Sequence, residues 1–313
     1  MSEALLKLSK ITKIYKTNEI AFLSGLGDVF DNARHAENLR EALSFKKLMA
    51  AYQEIKVTAK AKRREFLDQG SVRGRAEYLR DLVYKQNEFA VSALLDVDLV
   101  IHAGEMTALA GPSGSGKSTL LNIIATLEEP TSGSVVFEGR DLGGMGEDQR
   151  ADFRLANLGF VFQAFNLIPV LSAYENVEYA LILKGLPYAR RQSLTREVLE
   201  YVGLKDCMHR RPNRLSGGQQ QRVAIARAAA VAPKLILADE PTANLDSKTA
   251  VAILDLMDRV NKEMGTTIIY SSHDPLVLAR ARRAVHLRDG EVVKDEICEG
   301  RPVQLSTDTA SAS

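Results

Sequence analysis

The 313-residue chain is 45% hydrophobic and 26% charged, an ordinary balance for a globular protein with one large domain or two small ones. Its 41 Lys and Arg against 40 Asp and Glu leave a net charge of +1, which excludes a global field drawing it to nucleic acid or lipid. Two cysteines, Cys207 and Cys298, exclude a disulfide framework and suit free thiols in a reducing compartment.

The opening MSEALLKLSK lacks the apolar core of a signal peptide. Residues 4–16 alternate partially and predict a strand, as does FAVSALLDVDLVI over 89–101. The stretch between them has helical composition. Residues 32–69 contain no Gly or Pro, and Phe45, Leu48, Tyr52, Ile55 and Ala59 form an amphipathic seam at spacings of three and four. Gly70 and Gly74 break it, and residues 75–88, with Leu79, Leu82 and Val83, predict a second helix. The basic run Lys60, Lys62, Arg63 and Arg64 reads as a solvated face.

From Met106 onward, short apolar strands (MTALAG, LGFVFQ, LILADE, TTIIYSSH) each end in a polar motif and alternate with helices. That order predicts an α/β fold whose mostly parallel sheet carries helices on both faces, with ligands at the carboxyl ends of its strands. The small polar end, 301–313, reads as a disordered tail. No stretch reaches the 18 or so consecutive apolar residues of a membrane span, so a membrane role would go through a partner.

The first motif is a P-loop: Gly111, Pro112, Ser113, Gly114, Ser115, Gly116, Lys117 and Ser118, then Thr119, placed after a strand and opening a helix. Glycines let amides wrap phosphates at a positive helix terminus. Lys117 reaches the β- and γ-phosphates and Ser118 ligates Mg²⁺. Asp239 and Glu240 end an apolar strand. Alone they would read as a solvated acidic turn; beside a P-loop, Asp239 suits the Mg²⁺ shell and Glu240 a general base for water. A third motif, Leu215-Ser216-Gly217-Gly218-Gln219, reads as a turn feeding the helix QQQRVAIARAAAV, a second anion-binding terminus. One ATP needs only one P-loop, so a second phosphate site implies a shared arrangement.

LSGGQ, lying between the P-loop and the Asp-Glu strand, resembles the signature of ABC ATPases. The resemblance covers about residues 1–16 and 89–300 and implies a P-loop ABC-type ATPase domain: a mostly parallel sheet core, an antiparallel β subdomain and a helical subdomain at 164–214. It implies a catalytic set of Lys117, Gln163, Glu240 and His273, and Mg²⁺ held by Ser118, Gln163 and Asp239. Tyr15 would stack on adenine. Asn244, Leu245 and Asp246 would form the loop that crosses a dimer interface. Two copies would pair head to tail, each ATP lying between Lys117 of one and Ser216, Gly217, Gly218 and Gln219 of the other.

The same resemblance implies separately encoded transmembrane permease subunits and a peripheral place on the cytoplasmic face of the inner (plasma) membrane. FQAFNLIP, LSAYENVEYAL and EEPTSGSVVFEG are similar to the lipoprotein-releasing and macrolide-exporter group, which implies export or lipid extraction. The cell-division ATPase is a close neighbour, so an ATP-gated scaffold without cargo is the alternative. Chromosome-type members place long coiled coils between P-loop and signature, and translation-factor types carry two ATPase domains. Here a single stretch, 118–215, separates them and no nucleic acid is expected. The family joins the strands at Tyr15 and Val91 by a short turn. This chain instead carries 18–88, for which a helical hairpin projecting from the β-rich edge is expected, as an accessory docking element.

Overall fold

A computed structural model of the protein describes residues 4–16 and 90–298. Strand β1 (Ala4–Lys16) pairs antiparallel with β2 (Ala90–His102), from Ala4 opposite His102 to Lys16 opposite Ala90. Lys16 and Ala90, which flank the intervening segment, are therefore cross-strand neighbours. The expected hairpin at 18–88 and the expected tail at 301–313 lie outside the described residues.

The partial alternation of both strands has a local cause. Lys10 and Asp96 adopt positive φ (53° and 50°), and the register shifts around Ile11. Buried positions in β1 accordingly switch from Leu6 and Leu8 to Ile11; those in β2 switch from Leu94 to Val97, Leu99 and Ile101. Strands β4 (Ser132–Phe137) and β5 (Arg140–Asp141) complete a four-stranded sheet ordered β2-β1-β4-β5.

The second sheet contains β3 (Met106–Ala110), β6 (Leu158–Val161), β7 (Leu235–Asp239), β8 (Thr267–Ser271), β9 (Arg283–Arg288) and β10 (Glu291–Ile297), in the order β10-β9-β3-β8-β7-β6. All its neighbours pair parallel except the β9–β10 hairpin. Both faces are covered, so the strands read as continuous apolar runs rather than alternating ones. Leu109, Leu235, Leu237 and Ile269 join one core cluster, while Ala108, Ile236, Ala238, Ile268 and Tyr270 join the other.

Helix α1 (Lys117–Ile124) shares the first cluster through Leu120, Leu121, Ile123 and Ile124, together with Leu6 and Leu8 of β1 and Leu94 of β2. Helix α1 is thus held by both sheets. After α2 (Glu147–Asn157), helices α3 (Ala173–Leu183), α4 (Tyr188–Tyr201) and α5 (Gly217–Ala230) build the second cluster with α6 (Ser247–Met264). A short α7 (Pro275–Arg280) follows β8. Some expected boundaries shift: β6 stops at Val161, before Gln163, β8 stops at Ser271, before His273, and Ser216 is not part of a turn with Gly217 and Gly218 but the N-cap of α5, which starts at Gly217.

Candidate functional site

Strands β3, β7 and β8 end on the same side of the parallel sheet, and the loops leaving them enclose a cavity of about 430 Å³. Ser113, Gly114 and Gly116 to Thr119, Gln163, Asp239, Glu240, Ser271 and His273 line it, together with Val91 to Ala93 of β2 and Ala243. The P-loop can sit this close to β2 because Gly116 has φ 100°, and a Cβ there would fall 2.4 Å from the Ala93 carbonyl oxygen.

Lys117 is 7% exposed. Its ammonium donates to the carbonyls of Gly111 and Pro112, both at 2.8 Å, which occupies two of its three donors. Burial pulls its pKa below the ordinary lysine value, while Glu240 and Asp239 oppose that shift. The Ser118 hydroxyl lies 3.5 Å from both Asp239 carboxylate oxygens. Two hard oxygen groups therefore face each other at the cavity floor.

Glu240 leaves β7 with φ 43°, and its N–H donates to the Ser271 carbonyl at 2.9 Å. Its carboxylate accepts from the Ser272 hydroxyl at 2.9 Å and meets His273 Nδ1 at 2.7 Å. The positive φ turns the side chain off the strand, and the two contacts fix both oxygens. Ser272 is a site residue that no motif announces; its adjacency to His273 was the available signal. Val91, Ser92, Ala93 and Ser271 carry no sequence signal, because strand pairing and the strand end alone bring them to the cavity.

Gln163 is held through its backbone: Asn244 Nδ2 donates to its carbonyl at 3.0 Å. Arg227 of α5 donates to two carbonyls further along the same loop, Asn166 at 2.6 Å and Phe165 at 3.1 Å. Burial pulls the guanidinium pKa down. One half-buried cation therefore joins the loop carrying Gln163 to α5.

The signature residues stand apart from this cavity. Ser216 accepts from the Gln219 N–H at 3.3 Å while Gln219 Oε1 accepts from the Ser216 N–H at 3.0 Å, a capping box at the start of α5. Gly217 packs near Leu245 and Asn244, and Asp246 caps α6 by accepting from the Thr249 N–H at 3.0 Å. A Cβ on Gly218 would lie 2.4 Å from Thr249 Cγ2, so the glycine lets α5 and α6 touch at their N-terminal ends. Ser216, Gly217, Gly218, Gln219 and Asp246 thus form a second patch, none of them among the cavity walls. Tyr15 is not a wall residue either; its cross-strand partner Val91 is.

A family profile for ABC transporters matches residues 94–243. An uncharacterized ABC transporter ATP-binding protein of Thermotoga maritima is 48% identical over 210 residues, 67% of this chain and 89% of that one. The macrolide export ATP-binding/permease protein MacB of Rhodopseudomonas palustris is 46% identical over 214 residues, 68% of this chain but 33% of its own length. Among solved structures, the dimeric bacterial ABC transporter cassette MJ0796 superposes with a TM-score of 0.67 at 34% identity, covering 95% of this chain and 99% of that one. A dimeric post-hydrolysis state of MJ0796 bound to ADP and Pi superposes with a TM-score of 0.66 at 34% identity, with the same coverage of both chains.

Proposed function

The chain belongs to the ABC transporter family, and from that membership we propose how its residues divide the work of an ATP-binding, ATP-hydrolysing subunit. The triphosphate lies along the amides of Gly111 to Thr119 at the N-terminus of α1. Lys117 turns its remaining proton and its charge toward the β- and γ-phosphates. Tyr15 stacks on the adenine.

The donor set fits Mg²⁺. Ser118 and Asp239 are oxygen donors, and among the described residues no cluster of three or more His, Cys, Asp and Glu competes for a softer metal. With Gln163 those two oxygen donors would hold the ion against the phosphates. When bound, the ion neutralises charge on the phosphoryl oxygens. Glu240, with its oxygens placed by Ser272 and His273, accepts the proton of the attacking water. His273 contacts the γ-phosphate from its exposed position at the cavity rim.

The observation that carries this reading is the separation of the two helix termini. Within one chain the cavity opens on the N-terminus of α1, while Ser216 at the N-terminus of α5 lies outside it. A second copy, head to tail, supplies Ser216, Gly217, Gly218, Gln219 and Asp246 to the first copy's ATP. The likeness to a dimeric cassette supports that pairing.

Among the described residues no helix is long and apolar enough to cross a membrane. The partner is a transmembrane permease subunit on a separate polypeptide, met at the cytoplasmic face of the inner membrane. The region 164–214 docks it: Tyr179, Ile182, Leu183 and Tyr188 expose 45–63% of their surface there. Glu240→Gln tests the assignment. ATP binding is retained, hydrolysis falls about 10²-fold or more as general-base catalysis is lost, and a nucleotide-bound dimer accumulates in gel filtration. Turnover at the wild-type rate would refute the base role.

A further inference from the structure

Tyr15 is the penultimate residue of β1, and residues 17–89 follow before β2 begins at Ala90. Within β1 the backbone of Tyr15 is held opposite Val91. Its hydroxyl is anchored from another element. Glu128, in the loop that leaves α1, accepts a hydrogen bond from the Tyr15 hydroxyl and another from Asn122 Nδ2 at 2.8 Å. Asn122 belongs to α1, whose first residues are Lys117 and Ser118.

The rest of the loop is stitched along the same strand end. Thr131 N–H donates to the Thr12 carbonyl at 2.8 Å, and Ile14 N–H donates to Thr131 Oγ1 at 3.0 Å. Lys13 donates to the Glu129 carbonyl at 2.8 Å and its ammonium lies 3.7 Å from Glu128. That ammonium also sits 5.1 Å from the centroid of the Tyr15 ring, on one face.

We infer that Glu128 is a positioning residue for base recognition: its carboxylate pins the Tyr15 hydroxyl to the loop leaving α1, so the stacking ring is set by the phosphate-binding helix and not by its own strand end. The inference rests on the reading of Tyr15 as the adenine-stacking residue. Its physical content is preorganisation. A tyrosine with its hydroxyl held has little torsional freedom left to lose when a purine arrives, and that saving appears as affinity for the base. The phosphate cradle and the base platform then belong to one rigid unit, with Lys117 at one end of α1 and Asn122 and Glu128 at the other. The purine is read at a fixed distance from the triphosphate, whatever residues 17–89 do.

The test uses the full chain, with ATP and inorganic tripolyphosphate as probes. Glu128→Ala and Tyr15→Phe each raise KM for ATP about 3- to 10-fold, as expected for loss of one orienting hydrogen bond, and the double variant is no worse than Glu128→Ala alone. The effect of Glu128→Ala falls on KM rather than on kcat, and inhibition by tripolyphosphate, which has no base, is unchanged. Glu128→Gln keeps an acceptor for the hydroxyl and recovers most of the affinity. Unchanged KM in both single variants, additive losses, or an equal weakening of tripolyphosphate would each overturn the positioning role. If Glu128→Ala does not fold, Tyr15→Phe with Glu128→Gln decides the matter by the same criteria. Tyr15→Ala separates the two readings: it weakens ATP about 5- to 100-fold if the ring stacks on a base. No loss there would remove the stacking assignment and the positioning role together, whereas a loss there with none in Tyr15→Phe and Glu128→Ala would remove only the latter.

Discussion

Glu240 and Gly218 illustrate how single residues set this site. Glu240 follows an apolar strand and is recognisable in the sequence as an acid beside a P-loop. What makes it usable is a backbone turn to φ 43° and a carboxylate held by Ser272 and His273. The turn and the hydroxyl have no signature of their own, because both depend on β8 ending beside β7. Gly218 is the reverse case. Its motif is legible, but the motif explains it as a ligand-facing glycine. The structure adds a packing reason, since a Cβ would meet Thr249 Cγ2 at 2.4 Å. Gly218→Ala is therefore expected to overpack the junction of α5 and α6, costing about 1–3 kcal/mol and lowering Tm by about 3–10 °C in thermal unfolding. Thr249→Ala removes the offending methyl and should restore most of that loss. A Gly218→Ala protein with unchanged Tm would show that the two helices part at no cost.

The elements β1 and β2 carry the unusual feature of the chain. Each looks only partly alternating because bulges at Lys10 and Asp96 exchange the buried and exposed parities midway. They nonetheless pair along their whole length, and Lys16 faces Ala90. Closing that gap needs no more than a hairpin turn. Replacing residues 20–87 by a short Gly/Ser turn should accordingly leave a soluble chain that still hydrolyses ATP, with the loss falling on assembly with the membrane partner. Co-purification from detergent measures the assembly, and phosphate release measures the enzyme. A soluble deletion unable to bind ATP would instead place the segment in the nucleotide site. α5 shows why an element boundary escaped the sequence: two consecutive glycines read as a turn, yet Ser216 caps a helix that starts on them. Capping satisfies the free N–H groups, and the close contact with α6 offsets the poor helix propensity of glycine.

At the scale of the whole molecule, the proposed pairing makes one copy half of two sites. The cavity holds Lys117, Ser118, Asp239, Glu240 and His273, and the signature patch faces elsewhere. Mixing variants gives a direct expectation for this geometry. Ser216→Arg and Lys117→Ala are each expected to be inactive as homodimers. A mixed dimer contains one site with an intact Lys117 from the first and an intact Ser216 from the second. Equimolar mixing should therefore restore ATP hydrolysis above either protein alone. If both variants stay inactive on mixing, each site is complete within its own copy and the shared arrangement is wrong. Arg227 adds a route between the two halves, because it ties α5, which begins at the signature, to the carbonyls of Phe165 and Asn166 beside Gln163.

Local sequence determined the chemistry of this protein. The P-loop, the acid pair after LILAD and LSGGQ are contiguous, so the backbone that presents each one is set by its own few residues, and the family could be read from them together with the alternating order of strands and helices. Tertiary structure alone decided what lies between motifs. Strand pairing brought Val91, Ser92 and Ala93 to the cavity wall from the far side of residues 17–89. Glu128 reached Tyr15 across more than a hundred positions of chain, through a hydrogen bond that leaves no periodic trace. The separation of the signature from the cavity likewise exists only once α5 and α6 pack beside β7. Contacts between residues distant in sequence are made by the fold, and nothing in the immediate neighbours of either partner records them.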